Sequence, residues 1–315
     1  MSLATTELFI PYQRESTENE QSRLLDRPGQ DTKVTAGFAQ VEGGGIVHYA
    51  YEEPLEFYTD PTAAVIVHGF IGVESSYRKL RHNIAQSGKP AVTTTPVRHL
   101  PLKATLSPNY LLKPRALSAQ ATRAVISDVQ RKQEAEKIDL VVHSMGGMTG
   151  TEVASEHPED VRSITYLASI GLEENTLFSL TRSVPAFIVQ EILPDLLPGY
   201  KEHDLASALE ALGMAPEVIR YIWTNLYQTG AECTGLSRDI RPAMVNLGKA
   251  GIKIAILNFA SDKLTRNKTT KAKVGPHVDY CETHPREDLA HLAPYHQPQV
   301  VSDSVVSIID KITRT

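Results

Sequence analysis

The stretch IDLVVHSMGGMTG, residues Ile138 to Gly150, combines three patterns in a short length of chain. Its first part is apolar and β-branched, which is typical of a buried parallel strand. His143 and Ser144 follow, glycines come directly after Met145, and the pattern becomes helical from Met148. A serine on such a strand-to-helix turn projects its hydroxyl out of the sheet, as a nucleophile would. Most serines before helices are only caps, so both interpretations stay open at this point.

Length and composition are those of a soluble globular protein. The chain has 315 residues, 41% apolar and 22% charged, enough for one large domain or two modest ones. Its net charge of −5 gives no reason to expect nucleic acid or an anionic membrane as a partner. Two cysteines cannot build a disulfide framework, which favours a cytoplasmic setting. We predict neither a signal peptide nor a transmembrane helix, because no segment has the necessary apolar run.

Strand and helix patterns alternate along most of the chain, which predicts an α/β fold with a doubly wound, mostly parallel sheet. A Gly-rich hairpin precedes the alternation, and a proline-rich loop from Pro96 to Pro114 interrupts it. The predicted strands are Phe38–Val41, Ile46–Tyr51, Ala63–Val67, Ala91–Thr95, Ile138–Val142, Val161–Ala168 and Ile252–Phe259. The predicted helices are Ser76–Gln86, Ser118–Glu136, Met148–Glu156 and Pro298–Ile312.

One long segment departs from this alternation. Residues 171–247 are helical in pattern and lipophilic in places, as in PAFIVQEILPDLLPGY. Open α/β sheets bind ligands at the carboxyl ends of their strands, so we interpret the segment as a helical cap inserted over that edge. The alternative is a helical subdomain that only packs. The remaining boundaries are a polar arm over residues 1–33 and a core over residues 34–170 and 248–315.

An acid for a catalytic serine should come from another strand end at the same edge. Asp262 follows the strand ending at Phe259 by a few residues, within FASDKLTRN. Asp239 and Asp204 are less suitable because no predicted strand delivers them. The competing interpretation of Asp262 is a turn residue or the cap of a following helix.

A general base after the acid would come from one of the late histidines. Four lie beyond Asp262, namely His277, His284, His291 and His296. His291 is preferred because it lies in a loop just ahead of the last helix, with room to reach back over the sheet edge. His296 is the alternative.

Two backbone amides aimed at one point would form an oxyanion hole. Met145, directly after the serine, supplies one from the start of the helix. Phe70, just past the strand that ends in HGF, supplies the other, and Gly69 allows the backbone to approach closely. An ordinary strand-ending turn would also read HGF, so the tripeptide alone is a weak signal.

With these residues in view, the chain resembles the α/β-hydrolase superfamily, in particular members with a helical cap between the sixth and seventh strands. In that family the catalytic histidine commonly stands seven residues before a proline that opens the last helix, which favours His291 before Pro298 over His296. The resemblance also implies that His143 and Gly146 shape the nucleophile turn. It spans residues 38–312 and rests on HGF at His68–Phe70, HSMGG at His143–Gly147, EHPEDVRSITYLASIG at Glu156–Gly171 and SDKL at Ser261–Leu264.

Two departures accompany the resemblance. The family's GxSxG turn would have glycine at position 142, whereas this chain has Val142, which predicts a local rearrangement of the turn. The family's Asp and Gly signature after the fourth strand is replaced by TPVRHLPLK, from Thr95 to Lys103. This second departure concerns the subfamily rather than the fold.

The resemblance implies a serine hydrolase that cleaves an ester with an apolar acyl or alcohol part, a small or lipid-like molecule. It implies no metal and no organic cofactor. Serine at the turn argues against dehalogenases and epoxide hydrolases, which would carry aspartate there. Thioester cleavage, carbon–carbon bond hydrolysis, acyl transfer and lactone opening stay open, as does a non-catalytic ligand-binding protein; a purely structural module is the third class. The sequence does not predict an oligomeric state.

Overall fold

The computed structural model describes residues 32–41, 45–55, 58–69, 74–94, 116–172, 239–265, 274 and 277–314. These residues form an eight-stranded sheet with helices on both faces. The strands are β1 (Thr32–Val41), β2 (Gly45–Pro54), β3 (Ala64–Val67), β4 (Ala91–Thr94), β5 (Ile138–His143), β6 (Val161–Leu167), β7 (Lys253–Phe259) and β8 (Tyr280–His284). The helices are α1 (Arg78–Gln86), α2 (Ala116–Gln133), α3 (Gly146–Glu156), α4 (Arg241–Lys249), α5 (Ala293–His296) and α6 (Pro298–Thr313).

The strand order is β1-β2-β4-β3-β5-β6-β7-β8. β1 pairs antiparallel with β2 and β2 antiparallel with β4, while every other pairing is parallel. The predicted doubly wound, mostly parallel sheet is therefore confirmed. Because β3, β5, β6 and β7 are parallel neighbours, their carboxyl ends lie at one edge, which we name the carboxyl edge; the opposite one is the amino edge.

Strand β5 lies in the middle of the sheet, and all of its residues are buried. Its side chains alternate between two cores, because successive residues of a strand point to opposite faces. Leu140 and Val142 pack with α2, α3 and α4, whereas Val141 packs with α1 and α6. Burial on both faces explains why the strand is a continuous apolar run in the sequence.

Several elements differ from their predicted form. β1 begins at Thr32, so its first two residues belong to the segment predicted as the polar arm. β8, with the sequence YCETH, was not predicted. It pairs only with β7 among the described strands, and its side chains are half-buried or exposed. A half-exposed edge strand lacks the apolar run that identifies β5.

Parts of several predictions lie outside the described residues: Phe70, the whole Pro96–Pro114 loop and residues 173–238 of the cap. At the end of the predicted cap, α4 is described, and its Met244 and Leu247 are buried in the core that it shares with α3. The cap and the domain boundaries remain predictions. None of the described helices is both long and apolar enough for a membrane span.

A buried ion network lies at the amino edge of the sheet. The Lys89 ammonium, 1% exposed, lies 2.8 Å from Asp60 Oδ2 and 2.7 Å from Asp139 Oδ2. Arg162 donates to both carboxylates, and Ser163 Oγ donates to Asp139 Oδ1 at 2.6 Å. Burial alone would raise the pKa of Asp60, but hydrogen bonds from Arg162 and Lys89 outweigh it and hold that pKa well below its usual range.

Candidate active site

Ser144 lies on a strained turn between β5 and α3. Its φ of 55° is in the left-handed region, which non-glycine residues rarely adopt outside functional turns. The Ser144 N–H donates to the Leu167 carbonyl at 3.0 Å, and the Ser144 carbonyl accepts from the Gly147 and Ile170 N–H groups, each at 3.1 Å. The hydroxyl does not cap α3, whose N-terminal cap is Met145 and lacks a side-chain hydrogen bond. The end of β6 and the residues just after it therefore hold the backbone of the turn, and the Ser144 hydroxyl has no capping role.

Two glycines permit the close packing around this turn. A Cβ on Gly69 would lie 2.9 Å from Ser144 Cβ, and a Cβ on Gly146 would lie 2.3 Å from the Val67 carbonyl oxygen. Such distances are shorter than side chains tolerate, so any larger residue would push the end of β3 away from the serine. The predicted close approach at Gly69 is confirmed, and Gly146 brings the start of α3 against β3.

A glycine on the neighbouring helix α3 leaves room for the Val142 side chain. Its side chain is fully buried between β5 and α3, and a Cβ on Gly150 would lie only 2.4 Å from Val142 Cγ1. Gly150 thus leaves the volume that the valine fills. The backbone of the turn has a positive φ at Ser144, and a rearrangement relative to the family remains a prediction.

His291 lies between Ser144 and Asp262. Its Nε2 is 2.8 Å from Ser144 Oγ, and its Nδ1 is 2.9 Å from Asp262 Oδ2. A carboxylate only accepts, so Nδ1–H donates to Asp262 and Nε2 accepts the Ser144 hydroxyl proton. All three residues are buried, with exposures of 4% for Ser144, 4% for Asp262 and 2% for His291. The structure therefore brings the three predicted residues together, and of the four late histidines it is His291 that bridges the other two.

Asp262 has two sets of hydrogen bonds, one for each oxygen. Oδ1 accepts from the N–H groups of Leu264 at 2.7 Å and Thr265 at 2.9 Å, while Oδ2 accepts from His291 and the Thr265 hydroxyl. Burial on its own would raise the pKa of Asp262, but the charge and hydrogen bond of His291, with the bonds from Thr265, hold it below its usual value. Asp262 therefore has the hydrogen bonds of a turn residue and also faces His291 Nδ1.

The predicted oxyanion hole is only partly within the described residues. Met145 is buried at the start of α3, and among the described residues no acceptor takes its backbone N–H. The Gly69 N–H does have a partner, since it donates to the Tyr77 hydroxyl at 3.0 Å. Phe70 lies outside the described residues, and its amide remains a prediction.

Two residues at the site, Thr265 and Tyr77, were not predicted from the sequence. Thr265 follows Asp262 by three positions, and this short Asp-to-Thr spacing is typical of a side-chain-capped turn, so local sequence could have indicated it. Tyr77 has no such signal, because its hydroxyl contacts His143 across 66 positions of sequence. Only the fold brings them together.

The described residues contain one group that could hold a metal ion, made of His157, Glu159 and Asp160. It lies in the turn before β6, at the amino edge, away from Ser144. Its Asp160 Oδ2 is 2.9 Å from the guanidinium of Arg123, so the carboxylate already has a cationic partner. We assign no metal site there.

Comparisons with known proteins give a consistent picture. A family model described as "alpha/beta hydrolase fold" matches residues 103–207. No curated protein sequence matches the chain. Among solved structures, the chain is similar to a bacterial membrane phospholipase A described as a virulence factor, with a TM-score of 0.65, 14% identity, and coverage of 95% of this chain and 93% of that one.

Two other similar structures have different chemistries. A thermophilic esterase from Thermogutta terrifontis gives a TM-score of 0.62 at 14% identity, over 89% of this chain and 99% of its own. Potato epoxide hydrolase I gives a TM-score of 0.59 at 15% identity, over 89% of this chain and 100% of its own. At these identities the similarities establish the fold and leave the reaction open.

Proposed function

We propose that this chain, which has the α/β-hydrolase fold, is a serine hydrolase that cleaves carboxylic esters through an acyl-enzyme. One observation carries the proposal. The buried His291 ring bridges Ser144 Oγ at 2.8 Å and Asp262 Oδ2 at 2.9 Å, and the serine lies on a strained turn. Side-chain packing alone does not require a hydroxyl, an imidazole and a carboxylate to be hydrogen-bonded in that order.

The first half of the reaction forms the acyl-enzyme. Ser144 Oγ attacks the acyl carbonyl while His291 Nε2 takes its proton, and Asp262 stabilises the resulting imidazolium through Nδ1–H. The developing oxyanion accepts from the Met145 N–H, at the positive end of the α3 dipole, and in this proposal from the Phe70 N–H. When the tetrahedral intermediate collapses, the alcohol leaves with the proton from Nε2.

The second half restores the enzyme. A water molecule enters in place of the alcohol and attacks the acyl carbon. His291 Nε2 takes a proton from this water. The second tetrahedral intermediate collapses with release of the acid, and the proton on Nε2 returns to Ser144 Oγ. No metal or organic cofactor has a role in this scheme.

An apolar acyl or alcohol part is the substrate class that fits the lipophilic sequence of residues 171–247. We propose that this segment caps the carboxyl edge. Similarity to a phospholipase and to an esterase supports a lipid-like or small ester substrate. A cytoplasmic setting is part of the same proposal. Thioesters, carbon–carbon bonds and acyl transfer use the same three residues, so they are alternatives that substrate panels distinguish.

The test compares Ser144→Ala with the parent protein on p-nitrophenyl esters of increasing acyl length and on matched thioesters. We expect the parent to hydrolyse esters and to react with a fluorophosphonate probe. Ser144→Ala should lose on the order of 10⁶-fold in kcat and all labelling, because it lacks the nucleophile. Equal hydrolysis and labelling by the variant would reject the mechanism.

Ser155→Ala is the matched control. Ser155 also lies on α3, and its hydroxyl donates to the Thr151 carbonyl at 2.7 Å, far from His291. This variant removes one hydroxyl from the same helix and should keep parental activity. A non-catalytic binding protein is indicated instead if the parent shows no turnover of any ester or thioester and no labelling, yet retains an apolar ligand.

A further inference from the structure

His143 ends strand β5 immediately before Ser144 and points to the face covered by α1 and α6. Its ring is 1% exposed and uses both nitrogens. Nε2 lies 2.9 Å from the backbone carbonyl oxygen of His291, and Nδ1 lies 2.7 Å from the Tyr77 hydroxyl. One side chain thus links the serine turn to the loop that carries His291.

The direction of each hydrogen bond follows from the chemistry of the groups. The His291 carbonyl only accepts, so His143 Nε2 carries the proton and donates. A neutral imidazole with Nε2–H has Nδ1 as an acceptor, so the Tyr77 hydroxyl donates to it. The oxygen of Tyr77 then accepts from the Gly69 N–H at 3.0 Å and from the Tyr295 hydroxyl at 2.8 Å.

This chain of bonds reaches three separate parts of the site. Gly69 belongs to the turn after β3 that precedes Phe70, Tyr295 lies in α5, and His291 lies just before α5. The rings also pack, since the Tyr77 and Tyr295 centroids are 5.0 Å apart and the His143 and His291 centroids are 5.0 Å apart.

The side chains that form these hydrogen bonds, His143, Tyr77 and Tyr295, stay uncharged around neutral pH. Burial, with the nearby His291, lowers the pKa of His143 to about 3. Burial raises the pKa of Tyr77 well above its usual value and that of Tyr295 to about 12. Each hydroxyl therefore keeps its proton, and the bond directions do not change while His291 exchanges a proton with substrate.

We propose that His143 is a positioning residue that holds the His291 backbone and the Gly69 turn in register with Ser144. The proposal rests on the proposed serine hydrolase function. Displacing a reacting group by about 1 Å reduces rates by about 10²-fold, so a fixed link between the base and the oxyanion turn affects the chemical step more than binding. His143 hydrogen-bonds the His291 carbonyl and the Tyr77 hydroxyl, and in this proposal it acts through these two groups.

The kinetic test uses two substitutions of His143 and one distant control. His143→Leu removes both ring nitrogens, and we expect kcat on a p-nitrophenyl ester to fall about 10-fold to 100-fold with KM within about twofold. His143→Gln keeps an N–H near the position of Nε2 and should recover part of that loss. Tyr49→Phe removes the hydroxyl of another buried tyrosine, bonded to Asp128, and should leave kcat unchanged.

Rates are expressed per fluorophosphonate-reactive molecule, so a lower folded fraction does not imitate a lower kcat. Parental kcat in His143→Leu would overturn the proposal, as would equal losses in kcat for His143→Leu and Tyr49→Phe. Ser144→Ala separates the two hypotheses. If it retains activity, the proposed function is wrong; if it is inactive while His143→Leu is fully active, only the positioning role is wrong.

A second measurement does not depend on any variant folding. ¹⁵N NMR of the parent protein labelled at histidine reports which ring nitrogen is protonated. We expect His143 to show one neutral tautomer, with the proton on Nε2, that does not titrate between pH 5 and 9. A proton on Nδ1, or a ring that titrates near its unperturbed pKa of roughly 6.5, would contradict the hydrogen-bond directions.

Discussion

Strand β5 has a buried polar cluster at each end, and the two clusters behave differently. At the amino edge, Asp139 lies among Lys89 and Arg162, so its carboxylate faces permanent cations. At the carboxyl edge, Asp262 faces the imidazole of His291. Both carboxylates are almost fully buried. Burial by itself therefore does not distinguish a reactive cluster from a structural one.

The difference lies in the partner of each carboxylate. At the amino edge, hydrogen bonds from Arg162 and Lys89 hold the pKa of Asp60 well below its usual range, and Asp139 and Asp60 raise the pKa of Arg162 despite its burial. Neither Asp60 nor Arg162 therefore exchanges a proton near neutral pH. Histidine is the side chain whose unperturbed pKa lies near neutral pH. The carboxyl edge can thus move a proton, and the amino edge cannot.

Of the two acid-to-amide changes, the larger expected effect is that of Asp262→Asn on catalysis. An asparagine amide would face His291 Nδ1 as a donor and favour the tautomer with the proton on Nε2. That nitrogen could then no longer accept the Ser144 proton, and we expect kcat to fall about 10⁴-fold. Ester hydrolysis under saturating substrate measures it. A loss of less than tenfold would show that Asp262 does not set the tautomer.

The same chemical change at the amino edge should affect stability instead. Asp139→Asn removes one partner of the buried Lys89 and of Arg162, and breaking such a network costs about 3 kcal/mol in free energy of unfolding. The rate per folded molecule should remain parental, because Ser144 lies at the far end of β5. Urea unfolding followed by circular dichroism and titration of active sites measure the two quantities. A large loss of kcat without loss of stability would remove the contrast between the edges.

The sequence predicted the carboxyl edge better than the amino edge. Short local patterns identify Ser144, Asp262 and Pro298, and parallel strands bring their carboxyl ends together. The position of His291 could therefore be inferred from its spacing to Pro298. Nothing local indicates that Asp60 and Lys89 meet Asp139, since these ion pairs join distant positions. The contacts of Tyr77 and the edge strand β8 were missed for two different reasons. The contacts of Tyr77 depend on the fold, and β8 lacks an apolar pattern.

The packing of Val142, near the carboxyl end of β5, can be tested separately from the two polar clusters. Gly150→Ala would place a Cβ 2.4 Å from Val142 Cγ1, and the stiff β-branched side chain has little freedom to move. We expect a loss of about 2 kcal/mol in unfolding free energy from overpacking. Val142→Ala alone should also destabilise, by leaving a cavity.

Combining the two changes should restore packing. The double variant Val142→Ala, Gly150→Ala should be more stable than the sum of the single effects by about 1 to 2 kcal/mol, because the new methyl occupies the volume that valine leaves. Urea unfolding of the four proteins measures this coupling. Additive losses would show that Gly150 does not compensate for Val142. Activity per folded molecule serves as the control and should change little, since neither residue contacts His291.

The smallest expected effect is a pH dependence of the free energy of unfolding, which arises from His143 at the carboxyl edge. The pKa of His143 is about 3 in the folded protein and about 6.5 when unfolded, so the unfolded chain binds the proton more tightly. Stability is therefore complete above pH 6.5 and falls with decreasing pH, by about 1.4 kcal/mol per unit, until the folded pKa is reached.

His143→Leu should remove this slope between pH 5.5 and 4.5, whereas Asp139→Asn should leave it unchanged and only lower the whole curve. Urea unfolding across that interval gives both results. Unfolded carboxylates, with ordinary pKa values of about 4, also titrate at the acidic end of this window. They are the same in the parent and in His143→Leu, so the difference between the two slopes isolates the contribution of His143. Equal slopes in the parent and His143→Leu would mean that the ring of His143 is already protonated, or exposed, in the folded protein. Ion pairs stabilise the amino edge, whereas the proposed mechanism at the carboxyl edge combines a neutral, buried His143 with His291, which gains and loses a proton.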